Sequence, residues 1–264
     1  MVTILPNVRR TSRRIASAVA VLGLLGVSCG SHTASDSAAA SRDITVFAAA
    51  SLTAAYTEIG DGFMADNPDT TVTFNFASSS DLVTQINEGA PADVYASADA
   101  ANMTRLTDAG GSAGDPTVFA TNSLQIIVEP GNPKGITGVA DLADPDLLYV
   151  TCAPEVPIGK YAARVLTTAG VNVTPVSLEE NVKGIVTKVT LGEADAGIVY
   201  TTDVIAAGAA AEGIDIPADI NVIATYPVAV TKNAPNPEGA RAFVDFVVGE
   251  QGQKILAGFG FTAP

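Results

Sequence analysis

Ile44-Thr45-Val46-Phe47-Ala48-Ala49-Ala50-Ser51-Leu52-Thr53-Ala54-Ala55-Tyr56-Thr57-Glu58-Ile59-Gly60-Asp61-Gly62-Phe63 changes its hydrophobic period partway along. Ile44, Val46 and Phe47 make a short apolar strand pattern. Leu52, Ala55, Tyr56, Ile59 and Phe63 then recur at helical spacing. Only the small residues Ala48, Ala49 and Ala50 separate the two, and Ser51 stands where the helix begins. A serine there caps the helix, or it turns its hydroxyl and amide toward something outside. Strand, tight turn and open helix N-terminus together can bind an anion without a charged side chain. From this stretch alone, both readings of Ser51 stand.

The same unit recurs along the chain. Thr71 to Phe76 alternates as a strand and runs through Ala77-Ser78-Ser79-Ser80-Asp81 into Leu82, Val83 and Ile86 at helical spacing. Three consecutive serines are more than one cap needs. Val94 to Ala96 is a short strand, and Met103, Leu106 and Ala109 mark a helix ended by Gly110-Gly111. Ser123 to Val128 and Leu148 to Cys152 are further strands. The second of these passes through Pro154-Glu155-Val156-Pro157-Ile158-Gly159 into a helix, with Pro157 suited to its first turn and Ile158 and Gly159 offering free N–H groups. Asn181 is a good N-cap for a helix opening at Val182. Ala194 to Tyr200 is a buried strand. Tyr200 sits at its carboxyl end, where open α/β sheets place ligands, although a tyrosine that only packs there is an equal alternative. Val222–Ala224 and Val228–Val230 read as strands flanking Tyr226-Pro227, and Ala240 to Leu256 as one closing helix. The alternation predicts an α/β fold with a mostly parallel core.

The chain has 264 residues, with 47% hydrophobic and 16% charged residues, enough for one large or two medium domains with a true core. Residues 1–28 read as a signal peptide. Arg9, Arg10, Arg13 and Arg14 precede an apolar run from Ile15 to Val27 that is too short to span a bilayer. Ser12-Arg13-Arg14 gives a weak twin-arginine hint. Gly26-Val27-Ser28-Cys29 resembles a lipobox, so Cys29 is the expected lipidation site and 29–42 a Ser/Ala-rich tether. A plain secretory signal with an incidental cysteine is the other reading.

Net charge is −14, and about −18 once the four arginines ahead of Cys29 are gone, which argues against nucleic acid as a partner. An anionic ligand would be held by local dipoles against the overall field. With two cysteines, Cys29 and Cys152, there is no disulfide framework or zinc spacing, and Cys152 is expected to be a small buried hydrophobe. The only histidine, His32, lies in the tether, which removes Ser-His-Asp and Cys-His catalysis and histidine metal sites from the folded part. Glu179-Glu180 reads as a solvated pair. What remains is a set of neutral donors: helix starts at Ser51, Ser79, Ile158 and Val182, two of them with hydroxyls, and the phenol of Tyr200. Such a set suits a small, fully ionised tetrahedral dianion, each bond to it contributing about 1.5–3 kcal/mol. An ion that must donate a proton would also want an acceptor; none of the four turns clearly supplies one, though Asp81 is near.

Five motifs in order carry a resemblance. Phe47–Thr53, Phe76–Ser80, Gly89–Val94, Pro154–Gly159 and Gly197–Tyr200 are similar to the periplasmic molybdate-binding proteins of molybdate ABC importers, from about Asp43 to the carboxyl terminus. The resemblance implies the two-lobed type II periplasmic solute-binding fold, with a ligand held between lobes that close about a hinge. It implies two chain crossings, near Thr121–Leu124 and Tyr226–Val228, with one lobe of 43–123 and 227–264 and the other of 124–226. It further implies that two serines, two backbone amides and a tyrosine bind the oxyanion without a cation. On this sequence these are Ser51, Ser79, the N–H of Ile158, the N–H of Val182 and Tyr200. A small residue is commoner where Ile158 stands, which bears on pocket size though not on the amide. The expected protein is a monomeric, lipid-anchored, extracytoplasmic receptor for molybdate and tungstate that serves an ABC permease. It would be no enzyme and would carry no cofactor or metal cation, its molybdenum arriving as the oxyanion. A receptor for sulfate or phosphate, a carboxylate-based secreted hydrolase, and a surface lipoprotein without a ligand are the alternatives.

Overall fold

The structure is a computed structural model that describes residues 43–264, so the expected signal peptide, Cys29 and tether lie outside the described residues. β1 (Ile44–Ala49) passes through a 3-10 turn at Ala50–Leu52 into α1 (Thr53–Asp66), and β2 (Val72–Ala77) feeds α2 (Ser79–Asn87). β3 (Val94–Ala96), α3 (Ala100–Asp108), β4 (Thr117–Asn122) and β5 (Leu124–Val128) follow. Then come β6 (Tyr149–Cys152), α4 (Pro157–Ala169), β7 (Ser177–Glu179), α5 (Val182–Thr190), β8 (Ala196–Tyr200) and α6 (Thr201–Ala207). β9 (Glu212–Asp215), β10 (Ala224–Val230), α7 (Pro237–Val248) and α8 (Glu250–Gly258) complete the chain.

Two five-stranded sheets result, ordered β2-β1-β3-β10-β4 and β7-β6-β8-β5-β9. In the first, β1 runs parallel to β2 and β3, while β10 is antiparallel to β3 and β4. In the second, β6 runs parallel to β7 and β8, while β5 is antiparallel to β8 and β9. The core is therefore mixed, not mostly parallel as the apolar strands suggested. The physical reason is the same in each sheet. β5 enters its sheet straight from β4 of the other, and β10 returns from β9, so each crossing strand arrives from the ligand edge and must run against the strands that point toward it.

The return crossing lies earlier than the expected Tyr226–Val228, because Ala224 already pairs with Asn122 of β4. The expected lobe boundary at 226/227 thus falls inside a strand, at the register shift between Tyr226 and Pro227. Proline has no N–H for the ladder, and the shift absorbs that loss. The two crossings are clipped together by one side chain. Asn221 accepts from the Leu124 N–H at 3.2 Å and donates to the Leu124 carbonyl at 3.0 Å.

Helices form where the apolar period set them, with local chemistry placing their ends. Pro157 opens α4, and Gly170 in the left-handed region closes it. The one closing helix read from Ala240 to Leu256 is two, α7 and α8, because Gly249 takes an extended ψ of 172°. Three aromatic faces, Phe63, Phe74 and Phe243, pack with Tyr56 and Phe119 between α1, β2 and α7. Cys152 is buried and free, as expected of a small hydrophobe. Among the described residues no helix is long and apolar enough to cross a membrane.

Candidate anion-binding site

The parallel strands of both sheets end in helix starts, and those ends converge on one cleft. Its lining holds Ser51, Ser79, Ile158, Val182 and Tyr200 together, with Ala49, Ala50, Ser78, Ala98, Val156, Pro157 and Asn181. The empty space is about 210 Å³ including its mouth, room for a small ion rather than an organic substrate. All five residues expected from sequence meet here.

Ser51 and Ser79 come together because β1 and β2 run in register, with Ala49 opposite Ala77, so the two strands deliver their serines at one level. Ser51 does not cap its helix: the start of α1 has no side-chain cap, and Ser51 Oγ lies 3.1 Å from the hydroxyl of Tyr226. The triple serine divides its labour. Ser78 Oγ accepts from the Asp81 N–H at 3.2 Å and is the cap of α2. Ser80 Oγ lies 3.0 Å from Ser78 Oγ. Ser79 Oγ accepts from the Ala98 N–H at 3.0 Å, while the Ser79 carbonyl accepts from Tyr95 OH at 2.8 Å. Asp81, the nearest acidic residue in sequence, is exposed and takes no part in the lining.

The amides come from α4 and α5. Proline at the start of α4 and the absence of a side-chain cap leave the Ile158 N–H in the first turn without an intrahelical acceptor. The Ile158 side chain is buried in the hydrophobic core, and the residue also lines the cleft. Asn181 caps α5 by accepting from the Lys183 N–H at 3.0 Å, which leaves the Val182 N–H to the cleft. Gly159 holds α4 against β6: a Cβ there would stand 2.3 Å from the Ala153 carbonyl oxygen and 2.7 Å from that of Cys152.

Tyr200 ends β8, only 1% exposed, and its hydroxyl has no hydrogen-bond partner among the described residues. Burial pushes its ionisation well up, so it stays a neutral donor. A buried phenol that donates to nothing is costly, and a phenol in a cleft of donors is where a ligand oxygen would satisfy it.

Among the described residues no ionised side chain lines the cleft. The two nearby cations are each tied to a buried carboxylate. Lys183 Nζ is 3.0 Å from Asp203, and Lys160 Nζ is 3.6 Å from Asp99. Burial pushes the Asp203 carboxyl up, with Lys183 opposing, and Asp203 also accepts from the Tyr200 N–H at 3.3 Å. That pairing orients Tyr200 and cancels local charge. Glu179 is not simply solvated as expected, since it pairs with Lys188 at 2.7 Å and with Ser177 at 2.7 Å. Sequence reasoning missed Tyr226, Ala98 and the Lys183–Asp203 pair. Nothing in the chain order shows a contact between Ser51 and a residue 175 positions away.

The arrangement can hold a small species with acceptor oxygens and no proton to give. A family model described as bacterial extracellular solute-binding protein matches residues 44–262. The chain is 43% identical over 257 residues to the molybdate-binding protein ModA of Mycobacterium tuberculosis, covering 96% of this chain and 98% of that one. Two solved structures share the fold at low identity. The periplasmic molybdate-binding protein of Azotobacter vinelandii has a TM-score of 0.71 at 21% identity, over 84% of this chain and 99% of that chain. The sulfate-binding protein SubI of Mycobacterium tuberculosis has a TM-score of 0.76 at 22% identity, over 84% and 86%. By its sequence, its two-lobed fold and the place of its cleft, the chain belongs to the family of bacterial extracellular solute-binding proteins, a family of transport components and not of enzymes.

Proposed function

We propose that the protein captures molybdate, and tungstate with it, in the cleft built by Ser51, Ser79, Ile158, Val182 and Tyr200, and delivers it to an ABC permease. The observation that supports this reading is the buried Tyr200 hydroxyl, without a partner among the described residues and set among donors away from free charge. Two serine hydroxyls, two helix-start amides and one phenol offer hydrogens to a tetrahedral dianion, each bond contributing about 1.5–3 kcal/mol. The 43% identical relative named for molybdate narrows the dianion. Sulfate carries the same charge and shape, so selection between them would rest on size. Phosphate at neutral pH keeps a proton, and the lining has no carboxylate to receive it. Lobe closure about the crossings at Asn122–Leu124 and 216–223 would bring the serines and the α4 and α5 amides onto opposite sides of the ion. Attachment to the membrane through a lipid on Cys29 completes the reading.

Calorimetric titration of the chain from Gly30 onward with molybdate, tungstate, sulfate and phosphate tests it. Tight one-to-one binding of the first two alone is the expected result. Sulfate displacing molybdate at comparable concentration would overturn the ligand while keeping the site. Mass spectrometry of the membrane-associated protein, with Cys29→Ser as comparison, tests the anchor, and unmodified Cys29 would remove it.

A further inference from the structure

We propose that Tyr226 is a positioning residue of this site, one that holds the Ser51 hydroxyl with its proton facing the cleft. The inference rests on the reading of the cleft as an oxyanion site. Tyr226 is fully buried on β10 and is not itself part of the lining. Its hydroxyl lies 3.1 Å from Ser51 Oγ.

A pair of hydroxyls has two settings. In one, Ser51 gives its proton to Tyr226 and shows a lone pair to the cleft. In the other, Tyr226 gives its proton to Ser51, and the proton of Ser51 is free to point at a ligand. An oxyanion that carries only acceptor oxygens can be bound by the second setting alone. Burial raises the ionisation of Tyr226, so it keeps its proton. The Asn122 side chain also faces that hydroxyl as a competing acceptor, and an oxyanion accepting from Ser51 selects the setting in which Tyr226 donates to Ser51. Its ring is pinned by Phe119 at 6.2 Å, Tyr200 at 5.7 Å and Phe261 at 5.3 Å, all edge-on, so the hydroxyl cannot swing away.

The second serine shows the same device made from backbone. The Ala98 N–H donates to Ser79 Oγ at 3.0 Å, and an amide can only donate, so the Ser79 proton is left free to face the cleft. Tyr226 does for Ser51 what Ala98 does for Ser79. It does so from the returning strand, which ties the serine of the first sheet to the segment where the chain comes back from the second.

The test is a set of molybdate titrations by calorimetry on the parent, Tyr226→Phe, Ser51→Ala, Ser79→Ala, and Tyr226→Phe combined with each serine change. Tyr226→Phe keeps the ring and its packing, so its melting temperature should stay near that of the parent. Its affinity should fall roughly tenfold, the size expected when one hydrogen bond to a charged acceptor is misdirected. On the Ser51→Ala background the same change should cost nothing further, whereas on the Ser79→Ala background the losses should multiply. Equal losses on both backgrounds would mean a general structural role and would overturn the proposal. Parent-like affinity in Tyr226→Phe, with a parent that binds, would overturn it and leave the site reading intact. A parent that binds none of molybdate, tungstate and sulfate would sink the functional reading and this inference with it.

Discussion

Tyr200 and Ser51 show how little a residue's neighbours in sequence reveal of its task. Both sit where a cap or a packed tyrosine is ordinary, and both readings were open until partners were known. Ser51 makes no cap bond, and Tyr200 leaves its hydroxyl without a partner among the described residues. Tyr200→Phe should weaken molybdate binding by about ten- to a hundredfold, equivalent to one hydrogen bond of 1.5–3 kcal/mol to a charged acceptor. Its melting temperature should be unchanged or slightly raised, because the lost hydroxyl has no partner among the described residues. Calorimetry and a thermal melt read the two effects separately, and parent-like affinity would exclude Tyr200 from the site. The bulk of Ile158 bears on the size of the cleft, and the structure buries its side chain in the core while Ile158 still lines the cleft.

Elements are held where they are by close backbone approach and by partial charges at their ends. The start of α4 leans on the end of β6 so closely that only glycine fits at 159. Gly159→Ala would set a methyl 2.3 Å from a carbonyl oxygen, and backbone cannot move aside as a side-chain tip can. That change should destabilise the fold by about 1–3 kcal/mol and weaken anion binding as α4 is pushed off the cleft. Gly114→Ala, which meets nothing within 4 Å, is the control for denaturation midpoints and binding. A second prediction concerns β7 and α5, joined by Glu179 and Lys188 at 2.7 Å. Burial alone would push the Glu179 carboxyl up, but the hydrogen bonds from Lys188 and Ser177 and the lysine charge outweigh it, and the net shift is downward. A carboxyl lowered in the fold adds stability that is present above its unfolded value and is lost as pH falls through the folded one. Glu179→Gln should therefore be less stable than the parent at neutral pH by about 0.5 kcal/mol, given a partly solvated pair. Denaturation at a series of pH values should show the gap closing below the ordinary glutamate value of 4.5. A gap that persists in acid would assign the loss to packing.

The whole molecule carries its own test, because an anion must approach a chain of strongly negative charge. Beyond Cys29 the charge is about −18, and the lining of the cleft offers no cation. Salt shields the long-range repulsion and barely touches donors in contact with the ion. Raising chloride from about 20 to about 200 mM should therefore leave molybdate affinity unchanged or improve it, with the gain in the association rate. A steep loss of affinity with salt would mean that Lys183 or Lys160 leaves its carboxylate to hold the ligand.

Much of this molecule was legible from one chain. The triple serine, Pro157, and Asn181 ahead of Val182 placed the starts of α2, α4 and α5, and the change of period at Ala48–Ala50 placed that of α1 to within two residues, because caps and periodicity act over a few residues. Elements built on weak local signals were missed. β4 and β9 have short or half-exposed patterns, β10 was split at Tyr226-Pro227, and α6 follows β8 with no gap. The residue set of the cleft followed from repeated helix starts and from family resemblance. The antiparallel crossing strands, the Asn221 clip, the pairing of each lysine with a buried carboxylate, and the hydroxyl of Tyr226 behind Ser51 were decided only by the tertiary structure. They join residues about a hundred or more positions apart, or depend on which way a side chain turns, and neither is written in the local order of the chain. Local physics settles where elements begin and which groups they leave open, while long-range packing settles which open groups face one another.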